Sequence, residues 1–175
     1  MNTYIYSDPH FGHHGVCKFM NQDGSKMRPF VTIEEMDEAL VERFNEVVQE
    51  NDTCYFLGDV AINRRGLPTL ARLNCKNLYL IKGNHDEFRL DEYTPYFKDI
   101  LSCKVINNVL FSHIPVHPSC LVRWSGNVHG HLHTERVLKE VDSKMVIDER
   151  YYNASVEQTD FYPILLSDVL AYFKK

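Results

Sequence analysis

The chain repeats one pattern along its length: a short apolar run ending in a small polar block. The runs are Tyr4-Ile5-Tyr6, Cys54-Tyr55-Phe56-Leu57, Leu78-Tyr79-Leu80-Ile81, Val109-Leu110-Phe111 and, more weakly, Val128. The blocks that follow them are Asp8-Pro9-His10, Gly58-Asp59, Gly83-Asn84-His85-Asp86, Ser112-His113 and Gly130-His131-Leu132-His133. β-Branched and aromatic runs of this length read as buried strands. Because α/β sheets build their sites at the carboxy-terminal ends of strands, these blocks are expected to converge on one pocket.

Thr32 and Glu35 form a capping-box pattern, and Ile33, Met36, Leu40, Phe44, Val47 and Val48 then recur at helical spacing. They predict a helix over 33–49. A shorter helix is expected over 68–73, so the first half reads strand, helix, strand, helix, strand, the order of a helix-covered parallel sheet. From about Asp99 the pattern changes to short strands over 100–105, 109–112, 127–130, 136–139, 144–147 and 151–156, with a closing helix over 166–173. The expected fold is α/β, two sheets facing each other with helices outside. Residues 10–31, rich in Gly, His, Asn and Asp, form a long loop of the kind that carries function. No repeat or Pro/Gly/Ser linker divides the chain, and residues 1–175 are expected to form one domain.

A net charge of −5 gives no basic face for gripping a nucleic-acid backbone, which disfavours extended nucleic acid as a partner. It leaves room for a phosphate substrate, since two bound divalent ions would reverse the local field. No apolar run approaches a membrane span and no signal pattern opens the chain, so cytosol, or a host's cytosol, is the expected location and no membrane partner is expected. Cys17, Cys54, Cys75, Cys103 and Cys120 include no close pair such as C-x-x-C, and most are expected to be small core residues.

The blocks offer carboxylate, imidazole and amide donors. Strand alternation would bring Asp8 and His10 to one ion, and His131 and His133 to different ions. Asp59 can bridge two ions by giving one oxygen to each. Asp86 either caps a helix starting near Glu87 or orients His85. His129 is expected to be structural. His117 is a site candidate or simply a loop residue fixed between prolines. Trp124 and Arg123 are either a base-stacking feature or core and surface.

In order and spacing, the blocks resemble the calcineurin-like metallophosphoesterase superfamily, whose pattern is D-x-H, G-D, G-N-H-[DE], H and G-H-x-H. The text Ser7-Asp8-x-His10-Phe11-Gly12-His13, Arg28-Pro29-Phe30 and Leu57-Gly58-Asp59-Val60-Ala61 is similar to small single-domain members of bacteria and phages. The resemblance implies a four-layer α/β/β/α sandwich of two facing mixed sheets with outer helices. It also implies two metal ions, manganese by preference or iron, zinc or nickel. Asp8, His10, Asp59 and His133 would hold the first ion. Asp59, Asn84, His113 and His131 would hold the second. Hydroxide bridging the ions would attack phosphorus, with His85 as general acid and Asn84 touching a phosphate oxygen. In small members the Phe-Gly-His element flanks the site, which makes His13 a candidate for substrate contact. Arg28, Arg64 and Arg65 are candidate phosphate clamps.

The function these features imply is phosphohydrolysis, most readily of a nucleotide or other small phosphodiester, with oligomeric state left open. A nuclease acting on short RNA or DNA ends is one alternative. A metal-binding interaction module without turnover is another; the presence of His85 argues against it.

Overall fold

The computed structural model describes residues 1–174. Strands β1 (Thr3–Tyr6), β2 (Thr53–Phe56), β3 (Asn77–Ile81) and β4 (Asp99–Leu101) run parallel, and the short β11 (Ile164–Leu165) pairs antiparallel with β1. The order is β11-β1-β2-β3-β4. In the second sheet, β5 (Lys104–Ile106) pairs antiparallel with β6 (Val109–Phe111), and β7 (Gly126–His129) and β10 (Tyr151–Asn153) continue it in parallel. Both sheets are therefore mixed, as expected. The strand predicted over 100–105 is two strands. The chain leaves the first sheet after Leu101 and enters the second at Lys104, with Ser102 and Cys103 exposed at the crossing.

Period-two alternation explains how the sheets stack. Tyr4, Tyr6, Cys54, Phe56, Leu78 and Leu80 face helix α1 (Ile33–Val47), which buries Ile33, Met36, Leu40, Val41 and Phe44 against them. The Thr32 hydroxyl accepts from the Glu35 N–H, while the Glu35 carboxylate accepts from Val31, one residue before the cap. On the other face, Ile5, Leu57 and Ile81 meet Val109, Phe111 and Val128 of the second sheet. The closing helix α3 (Leu166–Tyr172) packs Leu166, Val169 and Leu170 against this inter-sheet core. Residues 114–124, with a 3₁₀ turn over Pro118–Arg123, cover the outer face of the second sheet. Val116 donates to Asn127 and accepts from the Tyr151 hydroxyl there.

The predicted helix over 68–73 is a 3₁₀ turn, Leu67–Arg72, and the strand predicted to reach 156 stops at Asn153. After β3 the next helix is α2 (Leu90–Tyr93), so no helix starts at Glu87. Strands β8 (Leu138–Val141) and β9 (Lys144–Ile147) form a separate hairpin whose turn residues Asp142 and Ser143 have φ of 50° and 61°. The cysteine expectation holds for Cys17 and Cys54; Cys75 is half-buried, and Cys103 and Cys120 are exposed. Among the described residues no helix is long and apolar enough to cross a membrane.

Candidate metal centre

The blocks lie just beyond the ends of β1, β2, β3, β6 and β7, and these ends meet at one edge of the sandwich. Two groups form there. In one, Asp8, His10 and His133 each present a ligand atom, all within 4.8 Å of one another. In the other, Asp59, His113 and His131 do the same. One oxygen joins the groups: Asp59 Oδ2 lies 3.7 Å from His10 Nε2 and 3.4 Å from His113 Nε2. The other carboxylate oxygen, Oδ1, accepts the His85 backbone N–H at 2.9 Å. Oδ2 is thus the oxygen that faces both groups, while Oδ1 carries the His85 N–H. Asn84 Oδ1 stands 2.9 Å from His113 Nε2, on the side of the second group.

Strand alternation does not bring these side chains together. Asp8, His10, Asp59, His131 and His133 have φ of 57°, 53°, 53°, 68° and 50°, in the left-handed region that L-residues seldom adopt. Each such residue costs on the order of 1–3 kcal/mol, so five in one pocket need a surrounding structure that enforces them. The loops are stitched together by backbone bonds from Asp8 to Gly58, His10 to Asp59 and Phe11 to Val60. Asp86, fully buried, completes the stitching: its carboxylate accepts from the Asp59 and Gly83 N–H groups at 2.8 Å and from Val60 at 3.0 Å. Asp86 is thus neither a helix cap nor a direct partner of the His85 ring. The loops also approach closely enough that a Cβ on Gly83 would lie 2.1 Å from Asp59 Oδ1. Glycine is required at that position by the contact.

The electrostatics are those of a site built around positive charge. Burial alone would raise the Asp59 pKa, but His113, the His85 N–H and His10 hold it down to about 2. Burial opposes protonation of His113 and His133, yet Asp59 in one case and Glu157 in the other raise both above the ordinary imidazole value. His113 Nδ1 faces the Leu57 carbonyl at 2.6 Å and His133 Nδ1 faces Glu157 at 2.9 Å. With Nδ1 protonated in each, Nε2 is presented to its group, the usual arrangement for a metal-binding histidine. Asp8, pushed up mainly by burial, accepts from Ser7, Ser155 and the His131 N–H. His10 is the sharpest indicator. It is buried and kept neutral, chiefly by desolvation, and neither ring nitrogen has a hydrogen-bond partner among the described residues. A buried polar atom without a partner costs about 1–3 kcal/mol, and a divalent cation would satisfy it. The donors thus fit two divalent ions.

At the rim, His85 is exposed and its ring centroid is 5.9 Å from that of His10. The His13 ring lies 5.7 Å from His10, with Nδ1 buried and without a hydrogen-bond partner among the described residues. His14 is exposed. Arg65 is exposed at the edge of a neighbouring cleft. His129 is buried beside Tyr151 with Nδ1 against Gly130 and belongs to neither group. His117 caps the Pro118–Arg123 turn by accepting from Ser119, and Trp124 is half-buried at its end.

Arg28 does not stand where a phosphate clamp would. It is fully buried, donates to the Asp8 and Pro9 carbonyls at 2.6 and 2.8 Å, and pairs with Glu157 at 2.7 Å. Since Glu157 in turn holds His133, Arg28 braces both ends of the first group from behind. Glu157, a residue the sequence reading missed, is pushed up by burial but brought to about 2 by Arg28 and His133. Arg28→Ala is expected to cost about 3–5 kcal/mol of folding free energy by leaving Glu157 and two carbonyls unpaired. Denaturant unfolding of the variant measures this; a loss under 1 kcal/mol would refute the bracing role.

The chain belongs to the calcineurin-like phosphoesterase family, whose profile matches residues 1–172. It is similar to MJ1445, an uncharacterized protein of Methanocaldococcus jannaschii, at 29% identity over 181 residues, covering 98% of this chain and 91% of that protein. Its fold is similar to that of a protein of unknown function, AQ665 of Aquifex aeolicus. That match has a TM-score of 0.72 and 24% identity, covering 97% of this chain and 98% of that one. A Vps29 of Entamoeba histolytica matches at a TM-score of 0.44 and 17% identity, over 87% of this chain and 73% of that one.

Proposed function

We propose that this chain is a dinuclear, metal-dependent phosphodiesterase acting on a nucleotide or other small phosphodiester, in the cytosol. The observation that carries the reading is Asp59 Oδ2 between two His/Asp groups, with His85 exposed at their rim and belonging to neither. In this reading Asp8, His10, His133 and Asp59 hold one ion, and Asp59, Asn84, His113 and His131 hold the other. Such ions supply an activated water and neutralise charge on the phosphoryl oxygens.

The protein's own groups do the rest. Leu57 and Glu157 fix the tautomers of His113 and His133, and Ser7, Ser155 and the His131 N–H orient Asp8. His85 hydrogen-bonds the phosphate and passes a proton to the departing oxygen. Its backbone is anchored to Asp59 Oδ1, which keeps the proton donor in register with the bridging carboxylate. His13 and Arg65 would touch the rest of the substrate. A small substrate fits an acidic chain with a net charge of −5 better than a polymer held along its backbone.

The nitrogen and oxygen donors, without thiolate, suit manganese, and reconstitution with excess manganese should load two ions per chain. Elemental analysis after desalting tests this, alongside hydrolysis of bis(p-nitrophenyl) phosphate and p-nitrophenyl phosphate. Turnover of the diester in excess of the monoester is expected. A metal content that never exceeds one ion per chain, or a clear preference for the monoester, would overturn the proposal.

A further inference from the structure

We infer that the cleft beside the metal centre receives a nucleobase of the substrate, stacked on the guanidinium of Arg64; this rests on the phosphodiesterase reading above. The cleft has a volume of about 710 Å³ and is walled by Gly12, Asp37, Asn63, Arg64, Arg65 and Phe88, among others. Apart from Asp37 of α1, these wall residues follow the metal-centre blocks in the chain. Gly12 lies two residues past His10, Asn63 four past Asp59, and Phe88 three past His85. The volume is in the range of small-molecule sites, and is more than a phosphate group alone would fill.

Arg64 is built as a shelf. Its Nε and Nη2 donate to the two carboxylate oxygens of Glu92 at 2.7 and 3.2 Å, a bidentate fork that fixes the plane. The guanidinium carbon lies 5.0 Å from the centroid of Phe88, which Tyr93 backs at 5.9 Å, so one face rests on an aromatic floor. Even so, 69% of the side chain is exposed. An arginine whose N–H edge is already engaged by a carboxylate is a poor phosphate clamp. Its flat and weakly hydrated open face is instead a surface on which a base can stack. Arg65, next in the chain, has no ion-pair or side-chain hydrogen-bond partner among the described residues and remains available to phosphate.

Asp37 completes the fit on the other wall. Both of its oxygens accept the Gly12 N–H, at 3.2 and 3.1 Å, which leaves lone pairs unused. Burial raises its pKa to about 6, so it gains from any further donor. The N–H edge of a base provides such donors. Stacking surface, anion-binding arginine and acceptor carboxylate therefore line one cleft beside the place where the phosphodiester would lie.

Two esters with the same leaving group differ in the nucleoside, and the Arg64 variants then single out the stacked base: thymidine 5′-(p-nitrophenyl phosphate) and methyl p-nitrophenyl phosphate, assayed with the manganese-loaded protein. The nucleoside ester is expected to show a KM roughly ten-fold lower, in line with the worth of one stacked base. Arg64→Ala and Arg64→Lys should both remove that advantage while leaving the kcat ratio of the two esters near its original value. The lysine variant keeps the charge and loses the plane. Equal KM values in the parent protein, or an advantage that survives in Arg64→Lys, would overturn the shelf. Turnover of neither ester would instead count against the phosphodiesterase reading. In that event calorimetric titration decides the shelf separately: thymidine 5′-monophosphate should bind roughly ten-fold tighter than methyl phosphate, and equal affinities would overturn it.

Discussion

Asp59→Asn is expected to abolish detectable phosphodiester hydrolysis and to lower metal content together with it. The substitution removes the charge on the single oxygen that faces both groups, 3.7 Å from His10 Nε2 and 3.4 Å from His113 Nε2. It also weakens the anchor for the His85 N–H on Oδ1. Losing an outer partner of a metal ligand already costs about 10–100-fold in affinity or activity, and a shared carboxylate should cost more than that and more than any single histidine of the set. Parallel measurement of bound manganese and turnover checks the result. Full loading with near-normal turnover would place the bridging charge elsewhere.

His85→Ala is expected to separate chemistry from metal binding. The ring is exposed at the rim and belongs to neither His/Asp group, so both ions should remain bound. Turnover should fall by a factor on the order of 10²–10⁴, the usual worth of a general acid. The fall should be smaller for a p-nitrophenolate leaving group, which departs as a stable anion, than for an alkoxide, which must be protonated as it leaves. Equal losses on both classes would assign His85 to phosphate positioning. No loss on either would favour an interaction module without turnover.

The two substitutions probe residues that the sequence singles out, but the support beneath them is invisible at that level. Arg28 and Glu157 are 129 positions apart, and in a linear text one reads as a candidate phosphate clamp while the other carries no signal. Only when β1 and the segment after β10 lie side by side do they form a buried pair behind His133. Asp86 is similar. Its neighbours in sequence suggest a cap, yet its partners are the backbone amides of Asp59 and Val60 on another loop. Arg64 likewise reads as a free cation until α2 brings Glu92 to its edge and Phe88 lies beneath it.

The sequence by itself determined the elements whose signal is local. The capping residue and apolar stripe of α1, the buried runs of β1, β2, β3 and β6, and the order of the metal-ligating blocks all rest on periodicity or residue type within a few positions. The tertiary structure alone decided how those blocks meet. Alternation along a strand was the local rule available for bringing Asp8 and His10 to one ion and His131 and His133 to different ions, and it does not apply, because these residues lie beyond the strand ends at positive φ. That conformation is unfavourable for each residue taken singly, so no local preference could announce it. It persists because interloop backbone bonds, the Asp86 carboxylate and the Arg28–Glu157 pair enforce it from segments distant in the chain.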